Sequence, residues 1–190
     1  MSIGAITAPL YPTLPPDQIA YILRDCEARV VIVSTAEQLA KVSEIRADCP
    51  SVAHVIVMDD EAVEGMPGTV PFSGLGEGLV NQYDSEIATR RDNVTADDTL
   101  TLIYTSGTTG RPKGAMLSHG NLLHNVESCR QVLEAVDGDR FVVLLPMFHS
   151  FMLCVGVFLP LLIGGSILLI KSLHPAKNIL QEIIQRKATL

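Results

Sequence analysis

The sequence predicts an α/β fold whose mostly parallel sheets are covered by helices on both faces. Short runs rich in β-branched residues, such as Arg29 to Ser34 and Val52 to Met58, are largely apolar, which is typical of buried strands. Segments with apolar residues at helical spacing separate these runs, and a helix is the usual connection between parallel strands. With 190 residues, the chain is long enough to bury a sizeable core.

Two helices are predicted in the N-terminal part. The first begins at Pro15-Pro16-Asp17, because an early proline and an acidic residue in the first turn mark a helix start. The apolar residues on one face of this helix are Ile19, Ile22, Leu23 and Cys26. The second helix spans 36–48, where Leu39, Val42 and Ile45 have near-helical spacing.

The middle of the chain differs in composition. Residues 59–78 contain acidic residues first and then glycines and prolines, which predicts a surface excursion or an internal boundary. A modest helix is expected at 79–89. The chain would then contain two subregions, 1–58 and 97–190, joined by a glycine-rich excursion at 59–96.

The C-terminal part repeats the strand–helix pattern. Strands are predicted at 99–104, 115–118, 141–145 and 166–170, and helices at 121–136, 151–162 and 175–186. The predicted buried stripe of the first of these helices is Leu122, Val126, Cys129, Leu133 and Val136. Residues 187–190 resemble the start of another strand.

Charge and cysteine spacing exclude several classes of protein. Lys and Arg number 14 against 21 Asp and Glu, and no long basic run is present, so nucleic acid is not an expected partner. The four cysteines are widely separated, which argues against a zinc or redox motif and favours a reduced, cytoplasmic protein. His119 and His124 do not share a helix face, so no metal site is predicted.

An uncharged stretch from Phe141 to Ile170 favours the alternative of a membrane-inserted protein. Pro146 and Pro160 interrupt it, and the helix that fits between them would be only about 20 Å long, whereas a hydrocarbon core measures about 30 Å. Two buried strands with a buried helix between them fit this stretch better.

The segment after Tyr104 is the richest in phosphate-binding groups. It contains four hydroxyls, three glycines and two cations in the order Thr105-Ser106-Gly107-Thr108-Thr109-Gly110-Arg111-Pro112-Lys113-Gly114. Glycine allows the backbone to fold closely around an anion, and lysine supplies a mobile positive charge. This loop therefore predicts binding of a polyphosphate.

Two other interpretations of the loop fit less well. A Walker loop has four residues between its glycines and a Lys-Ser/Thr pair, whereas Gly107 and Gly110 are separated by two residues and Lys113 is followed by Gly114. A flexible Gly/Ser/Thr linker is the structural alternative, but a linker does not normally lie between two apolar strands.

The segment from Tyr104 to Gly114 resembles the signature loop of the adenylate-forming superfamily, which comprises acyl-CoA synthetases, luciferases and peptide-synthetase adenylation domains. Three further segments resemble that family in the expected order: Pro9 to Leu14, Leu117 to Leu122 and Leu145 to Phe151. The likeness covers nearly the whole chain and implies a fragment of the AMP-binding N-terminal domain.

The resemblance implies that the loop holds the β- and γ-phosphates of ATP. The implied phosphate-binding residues are Thr105, Ser106, Gly107, Thr108, Thr109, Gly110 and Lys113. A carboxylate would attack the α-phosphorus, release pyrophosphate and leave an acyl-adenylate, from which coenzyme A would displace AMP. Mg²⁺ is an expected cofactor because such transfers depend on charge neutralisation.

The resemblance also places the acid substrate. His149 would line and gate the acyl site, with Phe148, Phe151 and Cys154 forming an apolar wall; a packed structural histidine is the alternative. The block at 147–151 is most similar to long-chain fatty acid–CoA ligases, with aryl or medium-chain acids as alternatives. Such a lipid substrate is compatible with peripheral membrane contact.

Much of the family's machinery is not in this sequence. The Tyr-Gly-x-Thr-Glu block that helps to hold Mg²⁺, the ribose-binding acid, the hinge and the C-terminal domain with its catalytic lysine are missing. We therefore assign no complete catalytic set and expect a truncated chain that is inactive alone. A non-catalytic nucleotide-binding module remains the alternative.

Overall fold

A computed structural model of the chain describes residues 3–63, 68–76, 78–79, 81–105, 110–170 and 175–190. The chain divides into two compact units. Unit 1 contains residues 1–94 and 102–115, and unit 2 contains residues 95–101 and 116–190. Parallel strands connected through helices occur in both units, which confirms the predicted α/β fold class.

Unit 1 is built on a three-stranded parallel sheet with α1 (Pro16–Asp25) before it and α2 (Ala36–Glu44) between its first two strands. The strands are β1 (Val30–Val33), β2 (His54–Val57) and β3 (Thr69–Pro71), in that spatial order. Strand β3 lies in the predicted surface excursion and was not predicted. It has three residues, and its proline is tolerated because β3 is an edge strand.

The core of unit 1 lies between the two helices and one face of this sheet. Helix α1 begins where predicted, with Pro15 extended and Pro16 at the first helical position. Thr35 caps α2, because its Oγ1 accepts a hydrogen bond from the Gln38 N–H at 3.5 Å. The core residues are Ile19, Ala20, Leu23, Val31, Val33, Leu39, Val42, Ile45, Cys49, Val52, Val55 and Val57.

The other face of the sheet is open within the described part of the chain. Burial alternates along β1, so that Val31 and Val33 are buried whereas Val30 and Ile32 are 47% and 53% exposed. Helix α3 (Asp84–Asp92) begins later than predicted and buries no residue.

The next two strands connect the units along the chain. Strands β4 (Thr99–Thr105) and β5 (Lys113–Ser118) form a two-stranded sheet, and each contributes residues to both units.

Unit 2 begins with the helix α4 (His119–Leu133). A capping box sets its start, since the Asn121 N–H donates to Ser118 Oγ at 3.1 Å and the Ser118 N–H donates to Asn121 Oδ1 at 3.0 Å. The predicted stripe is correct only for Leu122 and Val126, which are buried. Leu133 is 39% exposed and lies at the helix end, so the stripe does not extend to it.

The rest of unit 2 contains a parallel pair, β6 (Arg140–Val143) and β7 (Ser166–Leu169). The predicted buried helix between them is a short α5 (Ser150–Met152), a π-helical segment (Leu153–Phe158) and α6 (Leu159–Ile163). Its burial was predicted too broadly: the residues at least half exposed are Phe151, Leu161 and Leu162.

Helix α7 (Ala176–Gln185) leads to the end of the chain, which runs beside β6. The Val142 N–H donates to the Leu190 carbonyl at 2.8 Å, and the Thr189 N–H donates to the Arg140 carbonyl at 3.0 Å. Across the described ranges, every helix is too short or too polar to cross a bilayer.

Candidate functional site

The predicted phosphate loop connects β4 to β5. Thr105 is the last residue of β4 and Lys113 is the first residue of β5, and both are exposed in unit 1. The ends of the loop therefore present a hydroxyl and an ammonium group to solvent on two paired strands. Four other predicted phosphate ligands lie outside the described residues: Ser106, Gly107, Thr108 and Thr109.

Gly110 has a backbone conformation that requires glycine. Its φ is +90°, which L side chains rarely adopt, and it is exposed just before the chain returns to β5. Gly110 therefore has a structural role, because it allows the chain to turn where the loop rejoins the sheet.

Tyr104 packs across the two strands at the base of the loop. A Cβ on Gly114 would lie 3.0 Å from Tyr104 Cζ, so the absence of a side chain at position 114 makes room for the ring. The Tyr104 hydroxyl donates to Asp25 Oδ2 at 2.6 Å. Burial has the largest effect on the pKa of Tyr104 and raises it, and the hydrogen bond to Asp25 raises it further. The hydroxyl therefore stays protonated and serves as a donor.

A polar groove of about 420 Å³ lies beside the C-terminal end of the loop, within unit 1. The Arg111 guanidinium carbon lies 5.8 Å from the centroid of the Tyr21 ring, a cation–π contact. The groove is lined by Asp17, Gln18, Tyr21, Arg24, Gly110, Arg111 and Pro112. The lining contains two arginines and one aspartate, so its net charge is positive and favours anions.

The two predicted acyl-site residues lie in unit 2, just before α5. His149 is exposed and caps α5, because its Nδ1 accepts a hydrogen bond from the Phe151 N–H at 3.3 Å. In the neutral ring the proton is then on Nε2. Phe148 is half-buried and Phe151 is exposed.

Cys154, the third predicted wall residue, is buried in the π-helical segment. Burial raises the pKa of its thiol, so it remains protonated and behaves as a small apolar group rather than as a nucleophile. Its part in an apolar wall of the acyl site stays a prediction from the family resemblance.

An apolar cavity of about 320 Å³ in unit 2 was not predicted. It is lined by Leu100, His119, Leu122, Leu123, Val126, Phe158, Leu161 and Leu162. The pair Leu122 and Val126, one turn apart on α4, was the available signal, but it was interpreted only as core. Phe148 and His149 are not among the lining residues.

The described site residues fall into two groups, one in each unit. Thr105, Gly110 and Lys113 lie on one strand–loop–strand segment, whereas Phe148 and His149 lie together in unit 2. No cluster of three His, Cys, Asp or Glu side chains with metal-binding geometry occurs among the described residues.

Comparison with known proteins gives consistent matches over the chain. A family model described as AMP-binding enzyme matches residues 1–190. The long-chain-fatty-acid–CoA ligase FadD15 of Mycobacterium bovis is 32% identical over 151 residues, covering 78% of this chain and 24% of that protein. The long-chain-fatty-acid–CoA ligase ACSBG2 of Xenopus laevis is 31% identical over 171 residues, covering 86% and 23%.

The fold comparison agrees with the sequence comparison. The crystal structure of the anthranilate–CoA ligase AuaEII in complex with anthranoyl-AMP superposes with a TM-score of 0.76 and 28% identity, covering 98% of this chain and 34% of that one. The chain therefore spans about a quarter to a third of the length of the proteins it matches.

Proposed function

Since the chain belongs to the AMP-binding enzyme family, we propose that it is part of an ATP-dependent acid–CoA ligase, with a long-chain fatty acid as the substrate. A carboxylate oxygen attacks the α-phosphorus of ATP, the bond to pyrophosphate breaks, and an acyl-adenylate forms. The thiolate of coenzyme A then attacks the acyl carbon, and AMP leaves.

The observation that carries this proposal is the segment from Thr105 to Lys113. A hydroxyl and an ammonium group lie on paired strands, and Gly110 at φ +90° lets the chain turn between them. Arg111 adds a second cation beside the loop. In the proposal these groups hold the β- and γ-phosphates, and their main effect is to position ATP and neutralise charge.

Mg²⁺ does not fit the described residues of this segment as protein ligands. Mg²⁺ needs several oxygen ligands, whereas the described residues at the loop ends offer one hydroxyl, that of Thr105, beside the cations of Arg111 and Lys113. The carboxylate at the base of the loop, Asp25, accepts the Tyr104 hydrogen bond. We therefore assign no metal ligand among the described residues and derive no step from a metal.

The proposed acyl site contains Phe148 and His149. Both residues come just before α5, where Phe148 is half-buried and His149 is exposed, and Cys154 is buried in the π-helical segment that follows α5. Relatives named as long-chain-fatty-acid–CoA ligases support a fatty acyl chain. An aryl acid is the second candidate, because the superposed structure AuaEII contains anthranoyl-AMP.

The test is exchange of labelled pyrophosphate into ATP by the complete protein that contains this chain, with acids from acetate to palmitate and with anthranilate. We expect exchange that depends on the acid and is highest with palmitate. Highest exchange with anthranilate would establish the second candidate. A folded protein that binds ATP but exchanges with no acid would instead be a non-catalytic nucleotide-binding module.

We also propose that the isolated 190-residue chain does not form acyl-CoA. It spans about a quarter of the length of its ligase relatives. Acyl-CoA production by the purified chain, measured by liquid chromatography, would contradict this.

A further inference from the structure

Helix α1 has two side chains, one turn apart, that contact opposite ends of the phosphate loop. Tyr21 and Asp25 are four residues apart, which places them on the same face of the helix. Asp25 accepts the hydrogen bond from Tyr104, one residue before Thr105. Tyr21 lies under the guanidinium group of Arg111, where the chain returns from the loop. One helix face thus contacts both ends.

The opposite face of α1 is fixed in the core of unit 1. Ile19, Ala20 and Leu23, which belong to that core, are each 4% exposed. Close packing of buried side chains leaves little room for a helix to rotate or shift. The loop ends therefore contact a helix whose position is set by the core.

Tyr104 also links the two strands below the loop. The Tyr104 ring lies over Gly114. A Cβ added at Gly114 would be 3.0 Å from Tyr104 Cζ and 3.3 Å from both Cε atoms of the ring. A side chain at position 114 would displace the ring and with it the hydroxyl that reaches Asp25. Tyr104, Gly114 and Asp25 thus form one arrangement that joins β4, β5 and α1.

We propose that Tyr104 is a positioning residue for the phosphate loop. Its hydrogen bond to Asp25, supported by the Arg111–Tyr21 contact, holds Thr105 and Arg111 near α1 and so positions the two described ends of the loop for the phosphates of ATP. This inference rests on the proposed function, because it assumes that the loop binds ATP.

A purely structural role for Tyr104 makes a different prediction. Loss of a structural hydrogen bond lowers the thermal unfolding midpoint, but it leaves the KM for ATP unchanged. A positioning role raises the KM for ATP, leaves the KM for the acid unchanged, and increases hydrogen–deuterium exchange in the peptide that covers residues 105–114.

The experiment uses the complete protein with Tyr104→Phe, Asp25→Ala and the double variant, because alanine, unlike asparagine, leaves no acceptor for the Tyr104 hydroxyl. We expect each single substitution to raise the KM for ATP about tenfold, the size of effect typical of a hydrogen bond to a charged group. The double variant should be no worse than either single variant, because both remove the same interaction. Tyr83→Phe is the matched control, since Tyr83 is 46% exposed at the start of α3 and is not part of this arrangement.

The outcomes separate this inference from the proposed function. Acid-dependent exchange in the wild type, with an unchanged KM for ATP in Tyr104→Phe and Asp25→Ala, overturns the positioning role alone. Unchanged hydrogen–deuterium exchange at 105–114 in both variants overturns it as well. No exchange of pyrophosphate in the wild type refutes the proposed function, and the inference with it.

Discussion

Gly156 lies in the π-helical segment of unit 2, where an added methyl group has no space. A Cβ at this position would overlap Met152 Sδ, and it would lie 3.1 Å from Met152 Cγ and 3.0 Å from Val143 Cγ2. Met152 and Val143 are buried, at 7% and 4% exposure, and Val143 is β-branched and therefore stiff. Gly156→Ala should thus force Met152 out of its present position.

The magnitude follows from two opposing effects. Overpacking a buried site costs about 1–3 kcal/mol. Replacing glycine by alanine within a helix restores about 0.5–1 kcal/mol, because glycine loses more backbone entropy on folding. The net loss lies between about 0 and 2.5 kcal/mol, and its middle value of about 1 kcal/mol lowers Tm by roughly 2–4 °C for a chain of this size.

The assay is urea unfolding followed by far-UV circular dichroism. Gly138→Ala is the matched control, because a Cβ at Gly138 would meet nothing within 4 Å. Met152→Ala should cost less stability in the Gly156→Ala background than in the wild type, since the two side chains compete for one space. Equal stability of Gly156→Ala and Gly138→Ala would refute this reasoning.

Three further predictions concern the loop, a helix cap and a surface ion pair. Lys113→Ala should lower pyrophosphate exchange about 100-fold in the complete protein, as expected for loss of a charge that contacts a phosphate. Lys177→Ala, at an exposed position, is the control and should not change the exchange. Equal exchange rates in the two variants would contradict the role assigned to Lys113. Ser118→Ala removes the acceptor of the α4 capping box and should cost about 1 kcal/mol in urea unfolding; an unchanged midpoint would argue against the cap. A hydrogen bond from Arg130, and to a lesser extent one from Gln131, lowers the pKa of Glu127 from 4.5 to about 2. The contribution of the ionised Glu127 to stability is therefore complete above about pH 4.5 and is lost as the pH falls towards 2. Glu127→Gln should therefore make the unfolding midpoint less sensitive to acid over that interval, and an unaltered pH profile would contradict this.

Elements marked by local chemistry could be predicted closely from the sequence. Pro16 and Asp17 are residue types that mark a helix start, so the start of α1 can be predicted locally. The β-branched run of β1 likewise predicts a strand without knowledge of distant contacts. The start of α4 at His119 rather than Asn121 depends on the reciprocal Ser118–Asn121 hydrogen bonds. That capping pair is visible in the sequence, but its usual glutamate is replaced by asparagine.

Burial was harder to predict than secondary structure. Leu161 and Leu162 are as apolar as Leu159, yet Leu159 is fully buried and the other two are at least half exposed. Periodicity assigns residues to a face of a helix, but which face is covered depends on tertiary contacts. The π-helical segment also changes the angular spacing, so an α-helical pattern assigns the faces incorrectly there.

The sequence motif of the candidate site could be predicted, but the contacts that hold the loop in place could not. The spacing of Gly110 and Lys113 after Tyr104 is read directly from the chain. Tyr104 is the last residue of the predicted strand 99–104, and its ring is half-buried. The hydrogen bond to Asp25 joins residues 79 positions apart, and no local pattern in one sequence indicates such a contact.

This long separation also affects when the molecule can fold during synthesis. Unit 1 needs residues 102–115 as well as 1–94, and the Leu102 N–H donates to the Thr7 carbonyl at 2.8 Å. A ribosome adds about 5–20 residues per second, so Asp25 waits roughly 4–16 s before Tyr104 is made. We expect α1 and the parallel sheet to assemble first, with the base of the loop added last, because contacts between distant residues close slowly.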